Sequence, residues 1–250
     1  KNAMQTTQPD VVFHLAAQPL VRESYRIPVE TFDINVLGTL NVLEATRELE
    51  NLKAALIITT DKVYKNYNHL RGYVETDELG GDDPYSASKA GGEELVVAYE
   101  NTYQLPCYVS HTMNVFGQRQ HPEKFIPMTI RNVRDGGTVT IHSDASKTIP
   151  GSRHYIHAED VADATMFLLE HNRTLDMSNN SGIKCPKFNI CGATELNNLE
   201  LANLIADAQG KELKYEFMDF HSSRPGHDLR YALSGDRMAN MGWRPQPVRE

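Results

Sequence analysis

Asp83 to Ala90 read DPYSASKA, and the arrangement of the rest of the chain follows from this run. It places Tyr85 and Lys89 four residues apart at the start of a helix. Positions i and i+4 share a helix face, so both side chains can enter one site. Pro84 suits the first helical turn, and the serines just after it fit the same start. A free tyrosine titrates at about 10, so using one as a base near neutral pH means favouring its phenolate by about 4 kcal/mol. A cation one turn away supplies part of that. Such pairs also stud ordinary surface helices, and the spacing takes its meaning from what surrounds it.

One element upstream, ITTDKVY runs from Ile58 to Tyr64 and closes an apolar strand over Ala54 to Thr60. Further back, DVVFHLAA over Asp10 to Ala17 is a continuous apolar run ending in small residues, the pattern of a strand buried on both faces of a parallel sheet. Between them, Val29, Phe32, Val36, Leu40 and Leu43 mark a helical period across Pro28 to Leu49. A helix over Tyr85 to Tyr103 and a strand from Pro106 to Asn114 continue the alternation. Strand and helix in turn predict a doubly wound α/β fold with sites at the carboxyl ends of its strands, here Ala16 to Gln18 and Thr59 to Lys62. Past Gly117 the expected elements are a helix over Phe125 to Asp135, a strand over Thr138 to His142 and a helix over Ala158 to His171. A strand over Lys187 to Cys191 and an Asn-capped helix over Asn197 to Ala208 follow. Gly117 to Pro127 and Ser222 to Tyr231 read as loops that cover a site. The boundary falls near Gly117, with residues 1–117 carrying the sheet and the chemistry and 118–250 forming a smaller region from which some segments return to the sheet.

The length, 250 residues, suits one large domain or one with a small appendage. A net charge of −8 argues against a nucleic-acid surface. Three cysteines, Cys107, Cys185 and Cys191, make neither a disulfide framework nor a zinc pattern, and reduced thiols in a cytoplasmic protein are the simplest account. No apolar run is long enough for a membrane span, and no spacing of histidines, including His14 and His157, predicts a metal site. Lys1 rather than methionine opens the chain, which points to processing or to a piece of something longer.

FHLAAQPLVRESY at Phe13 to Tyr25, NVLGTLNVLEA at Asn35 to Ala45, TTDKVY at Thr59 to Tyr64, DPYSASKA, and RPGHDLRYAL at Arg224 to Leu233 occur in that order. Together they resemble the extended short-chain dehydrogenase/reductases, and within them the nucleotide-sugar 4,6-dehydratases. The resemblance covers nearly the whole chain. It implies a Rossmann-like sheet, NAD as cofactor, a nucleotide-diphosphate sugar as substrate, and a homodimer formed through the helices of Pro28 to Leu49 and Tyr85 to Tyr103.

By position, the resemblance makes Tyr85 the base at the sugar 4-hydroxyl. Lys89 becomes the residue that holds the nicotinamide ribose and lowers the tyrosine pKa, and Thr60 a hydrogen-bond partner of the same sugar oxygen. Asp61 is then the candidate acid for the departing 6-hydroxyl and Lys62 the candidate base at C5, since the C4 ketone acidifies the C5 proton. Asp61 needs burial or an anionic neighbour to keep its proton near pH 7. Without Tyr85 and Lys89, the pair would read as a turn aspartate beside a solvated lysine. Ala16, Ala17, Gln18 and Asn35 would join Tyr85 and Lys89 around the cofactor. Substrate contacts would come from Asn114, Glu123, Lys124, Arg153, Asn189, Arg224 and His227. Arginine suits a diphosphate because its planar fork donates paired hydrogen bonds. His111 stands where relatives often carry arginine and has no assigned role.

GYVETDELGGDDPYSASKA, with Lys62, is similar to the CDP-glucose enzymes, whereas GQRQHPEKFIP and RPGHDLRYAL are similar to the dTDP-glucose enzymes. The nucleotide stays open among CDP, dTDP, GDP and UDP. No G-x-x-G-x-x-G run is present. Matched backward, Asp10 to Ala17 corresponds to the family's fourth strand, so the expectation is a sheet without its N-terminal βαβ units. Either the chain is part of a longer enzyme or dinucleotide binding has been lost, and the match of the residues around the nicotinamide end favours the first. The alternatives are a nucleotide-sugar epimerase or decarboxylase on the same fold, or a non-catalytic scaffold.

Overall fold

The computed structural model describes residues 2–171, 185–219 and 229–246. The first elements are α1 (Asn2–Thr7), β1 (Val11–His14), α2 (Val21–Arg26) and α3 (Pro28–Phe32). A π-helical turn, Asp33–Leu37, runs straight into α4 (Gly38–Thr46), followed by β2 (Ala54–Thr60) and a 3₁₀ turn, Asp61–Val63. Then come α5 (Pro84–Tyr103), β3 (Cys107–Thr112), β4 (Asn114–Phe116), α6 (Phe125–Arg134) and β5 (Val139–Ser143). The remainder is β6 (Ser152–His157), α7 (Ala158–His171), β7 (Lys187–Ile190), β8 (Glu195–Asn197), α8 (Asn198–Ala208), β9 (Tyr215–Asp219) and α9 (Asp236–Asn240).

The main sheet is parallel throughout, in the order β1-β2-β3-β7. Its residues alternate between two separate cores, as a strand buried on both faces requires. Ala55 and Ile57 face Leu43 of α4 and Val96 of α5, together with Val12, Cys107 and Val109. Ala54 and Leu56 face the opposite way, toward Val161, Ala164 and Leu168 of α7, Met238 of α9 and Trp243. Helices on both faces of a parallel sheet make this a Rossmann-like α/β fold. A three-stranded sheet, β4-β6-β8, and a parallel pair, β5-β9, stand beside it. Val133 of α6 and Ala202 and Ala206 of α8 close a small core over Val139 and Ile141 of β5.

Close approach of α5 to the π turn depends on Gly92, where a Cβ would lie 3.0 Å from the Asn35 carbonyl oxygen. The π turn adds a residue to the helical ladder and so re-aims Asn35 toward α5. Asn35 Nδ2 donates to Ser88 Oγ at 2.9 Å, and Asn35 Oδ1 accepts from the Gln18 backbone N–H at 2.8 Å. The loop after β1 is thereby tied to the helix that carries Tyr85 and Lys89.

Several sequence expectations change in extent. The strand read over Asp10 to Ala17 pairs only from Val11 to His14, because the chain then turns away so that Gln18 can meet Asn35. The strand read over Pro106 to Asn114 splits at Met113, and Asn114–Phe116 leaves the main sheet to pair with β6. The helix over Ala158 to His171 stands as expected, and Asn197 caps α8 in a full capping box with Glu200. Strands β6, β8 and β9 carry no clear period in the sequence and were not expected.

Candidate active site

The end of β2 and the start of α5 bring the nominated residues together. Asp83, extended at φ −132° and ψ 159°, caps α5 by accepting from the Ser86 N–H at 2.9 Å, with Pro84 in the first turn. Tyr85 and Lys89 then follow on one face. Across from them, Thr60 ends β2, and its hydroxyl donates to Asp61 Oδ1 at 2.8 Å. The Tyr85 phenol lies close enough to the Thr60 hydroxyl to feel its dipole, so Tyr85, Thr60 and Asp61 form one cluster of polar groups.

Burial governs the electrostatics of these groups. It pushes the Tyr85 phenol up to about 12, with Asp61 and Asp83 adding to the rise and the Thr60 hydroxyl opposing it. The expectation that Lys89 lowers this tyrosine is therefore corrected for the protein alone: the Lys89 ammonium donates to the Ile58 carbonyl at 3.0 Å. Burial also pulls Lys89 down to about 8, against the influence of Glu93 one turn along α5. Asp61 is raised, again by burial, against Thr60, Arg153 and Lys62. A buried carboxyl of this kind can keep a proton to donate.

Lys62 differs from its expected state. Its Nζ lies 2.8 Å from Asp83 Oδ2, in an ion pair whose side chains are 8% and 1% exposed. A base must be neutral, so Nζ has to lose a proton before it can take one. Tyr231 closes this corner, its ring 5.8 Å from both Lys62 Nζ and Arg153 Cζ. Arg153 also donates to the Ser152 and Leu229 carbonyls.

The other expected residues divide. Ala16 and Ala17 lie in the loop after β1, and buried Gln18 is braced by Asn35 and Thr31. Lys124 bridges to the same loop through the Pro19 carbonyl at 3.2 Å. Glu123 is exposed nearby, and Asn114 is exposed at the start of β4. Asn189 is a correction: it is 0% exposed, and its amide donates to the Tyr73 and Ser234 carbonyls while its oxygen accepts from Tyr64. A side chain so enclosed cannot touch a substrate. Arg224 and His227 lie outside the described residues.

Sequence reading missed the layer beneath the site. Glu93, fully buried, meets His111 Nε2 at 2.9 Å and Lys187 Nζ at 2.7 Å, and His111 Nδ1 lies 2.7 Å from the Tyr64 hydroxyl. Burial works to raise Glu93, but His111 and Lys187 outweigh it and hold the carboxyl at about 2. Glu93 stands four residues after Lys89, a spacing that could have flagged it. His14, expected to be structural, pairs with Thr39 Oγ1 at 3.1 Å.

A parallel sheet covered on both faces, with a Tyr-Lys helix beside its strand ends, is a Rossmann-like α/β arrangement. The chain belongs to the NAD dependent epimerase/dehydratase family, whose model matches residues 1–183. The low-salt glycan biosynthesis protein Agl12 of Haloferax volcanii is 35% identical over 95% of this chain and 71% of its own length. A dTDP-glucose 4,6-dehydratase of Shigella flexneri is 32% identical over 97% of the chain and 70% of its own. Among solved structures, the dTDP-glucose 4,6-dehydratase DesIV of Streptomyces venezuelae, with NAD and TYD bound, is similar at a TM-score of 0.82 and 29% identity, covering 98% of this chain and 71% of that one. The UDP-glucose 4-epimerase of Thermus thermophilus, in complex with NAD, also reaches 0.82, at 28% identity over 99% and 76%. The family is therefore plain, and both dehydratases and epimerases lie within it.

Proposed function

We propose that the chain acts as an NAD-dependent nucleotide-sugar 4,6-dehydratase, converting an NDP-hexose to an NDP-4-keto-6-deoxyhexose. One observation carries the choice over an epimerase: the turn after Thr60 carries a buried carboxyl whose pKa is raised by burial, Asp61, and next to it Lys62, paired with the Asp83 cap of the helix that bears Tyr85. An epimerase needs only the oxidising pair, whereas elimination needs a second acid and base.

Lys89 suits the nicotinamide ribose. One of its three donors reaches Ile58, two have no partner among the described residues, and its lowered pKa reports a charge awaiting compensation. Ala16, Ala17, Gln18 and Asn35 would border that end of the cofactor. Bound NAD would supply the hydride acceptor and donor for the cycle, and its positive charge would favour the Tyr85 phenolate. Tyr85 takes the 4-hydroxyl proton, with Thr60 holding the same oxygen. Asp61 donates to the departing 6-hydroxyl, and Lys62 takes the C5 proton once its amine is neutral. Asn114, Glu123, Lys124 and Arg153, with Arg224 and His227, would contact the nucleotide sugar, with residues 118–250 as the main substrate region. Exposed Val29, Phe32, Ile34, Leu37 and Tyr103 on the helices from α3 to α5 suit a homodimer.

Incubation with CDP-glucose and with dTDP-glucose plus NAD, read by mass spectrometry, tests the reading. Loss of water supports it. Unchanged mass with altered stereochemistry sinks it in favour of an epimerase, and no binding of NAD by the full-length protein sinks the enzymatic reading itself.

A further inference from the structure

We propose that Asp83 works through Lys62 as the proton sink of the elimination step, an inference that rests on the dehydratase reading. The two oxygens of Asp83 have separate duties. Oδ1 accepts the Ser86 N–H and caps α5, while Oδ2 meets Lys62 Nζ at 2.8 Å and the Ser86 hydroxyl at 2.8 Å. The cap therefore fixes the carboxylate in place, and the second oxygen presents a proton acceptor to the amine.

The pair is almost sealed from water. At 2.8 Å and shielded from water, Nζ and Oδ2 share a charge-assisted hydrogen bond along which a proton can pass. Among the described residues, the groups near Nζ include Asp61 on its own turn, Asp83 at the start of α5 and the Tyr231 ring, which Arg153 of β6 also approaches. Asp83 holds an ion pair with it at 2.8 Å.

The step balances. A proton passes from Nζ to Oδ2, which breaks an N–H bond, forms an O–H bond and leaves a neutral pair. The amine lone pair then takes the C5 proton. The C5–H electrons become the C5–C6 double bond, and the 6-hydroxyl departs with its bonding electrons and the Asp61 proton as water. The pair ends as an ammonium beside a protonated Asp83, one proton richer than it began, with no change of oxidation state.

Asparagine and serine cap helices about as well as aspartate, so Asp83→Asn and Asp83→Ser remove the acceptor while keeping α5. Both variants, checked against the wild type by melting, are mixed with NAD and the hexose nucleotide that the wild type dehydrates, and the mixtures are quenched and analysed by mass spectrometry. The expected result is accumulation of a 4-keto sugar that keeps its 6-hydroxyl, with elimination slowed about 10²-fold at neutral pH. Elimination in the variants should also climb with pH, because Lys62 must now lose its proton to water, while the wild type stays flat. Unslowed elimination, or C4 oxidation falling in parallel, overturns the proposal. A second measurement needs no turnover: reductive methylation of Lys62, read on its peptide, should run several-fold faster in both variants. Equal labelling overturns the pair. A wild type that makes no keto sugar at all refutes the dehydratase reading instead, and with it the step built on it.

Discussion

Lys89 carries a cost that its environment makes measurable. Burial lowers it to about 8 from an ordinary 10.5, so between those values the unfolded chain binds more protons than the folded one. The penalty is fully present below pH 8 and is relieved as pH rises toward 10.5. Lys89→Met should therefore raise the melting temperature at pH 7 while abolishing C4 oxidation; a lower melting temperature would contradict the burial argument. The ammonium itself should titrate near pH 8 by nitrogen NMR, and Glu93→Gln should move that titration downward, since Glu93 opposes the fall. Tyr85→Phe should block C4 oxidation, whereas Lys62→Ala should spare it and block elimination, both read by quenched mass spectrometry. Equal loss of the two steps in Lys62→Ala would refute the division of roles. At this scale the sequence nominated candidate residues but not their state. Tyr85, Lys89, Asp61 and Lys62 were all legible, but the burial that raises Tyr85 and the ion pair on Lys62 depend on contacts between distant segments.

Helix α5 is the element on which the site hangs, and two of its residues hold it from below. Gly92 admits the Asn35 carbonyl, and a branched side chain there must push the π turn away. Gly92→Val should cost roughly 1–3 kcal/mol in denaturant unfolding and weaken NAD binding, because Asn35 and Ser88 separate with it. Glu93 is held at about 2 against an ordinary 4.5. The folded state thus gains stability above pH 4.5, about 3 kcal/mol, which is lost as pH falls through 2. Glu93→Gln should flatten the acid-unfolding curve in that window; an unchanged curve would show that the carboxylate does not hold β3 and β7. Periodicity alone revealed α5, β2 and α7 because each packs along its whole length on a regular face. It failed at Gln18 and Met113, where single tertiary contacts bend the chain out of a continuing apolar pattern.

Across the whole molecule, the alternation of buried strands and amphipathic helices specified the doubly wound sheet, since only two cores on opposite faces can satisfy strands such as β2. The β4-β6-β8 layer escaped sequence reading because its strands are short and half-exposed, with pairing set by remote partners such as Asn114 with Tyr155 and Ser152 with Asn197. Asn189 was misplaced for the same reason: its neighbours Tyr64, Tyr73 and Ser234 come from remote segments that only the fold gathers. The account stands on one claim, that the groups after Thr60 turn an oxidising Tyr-Lys pair into an eliminating site. Product analysis after incubation with NAD and CDP-glucose or dTDP-glucose tests it most directly. The account predicts a 4-keto-6-deoxy sugar nucleotide lighter by one water; recovery of an epimer of unchanged mass would contradict it.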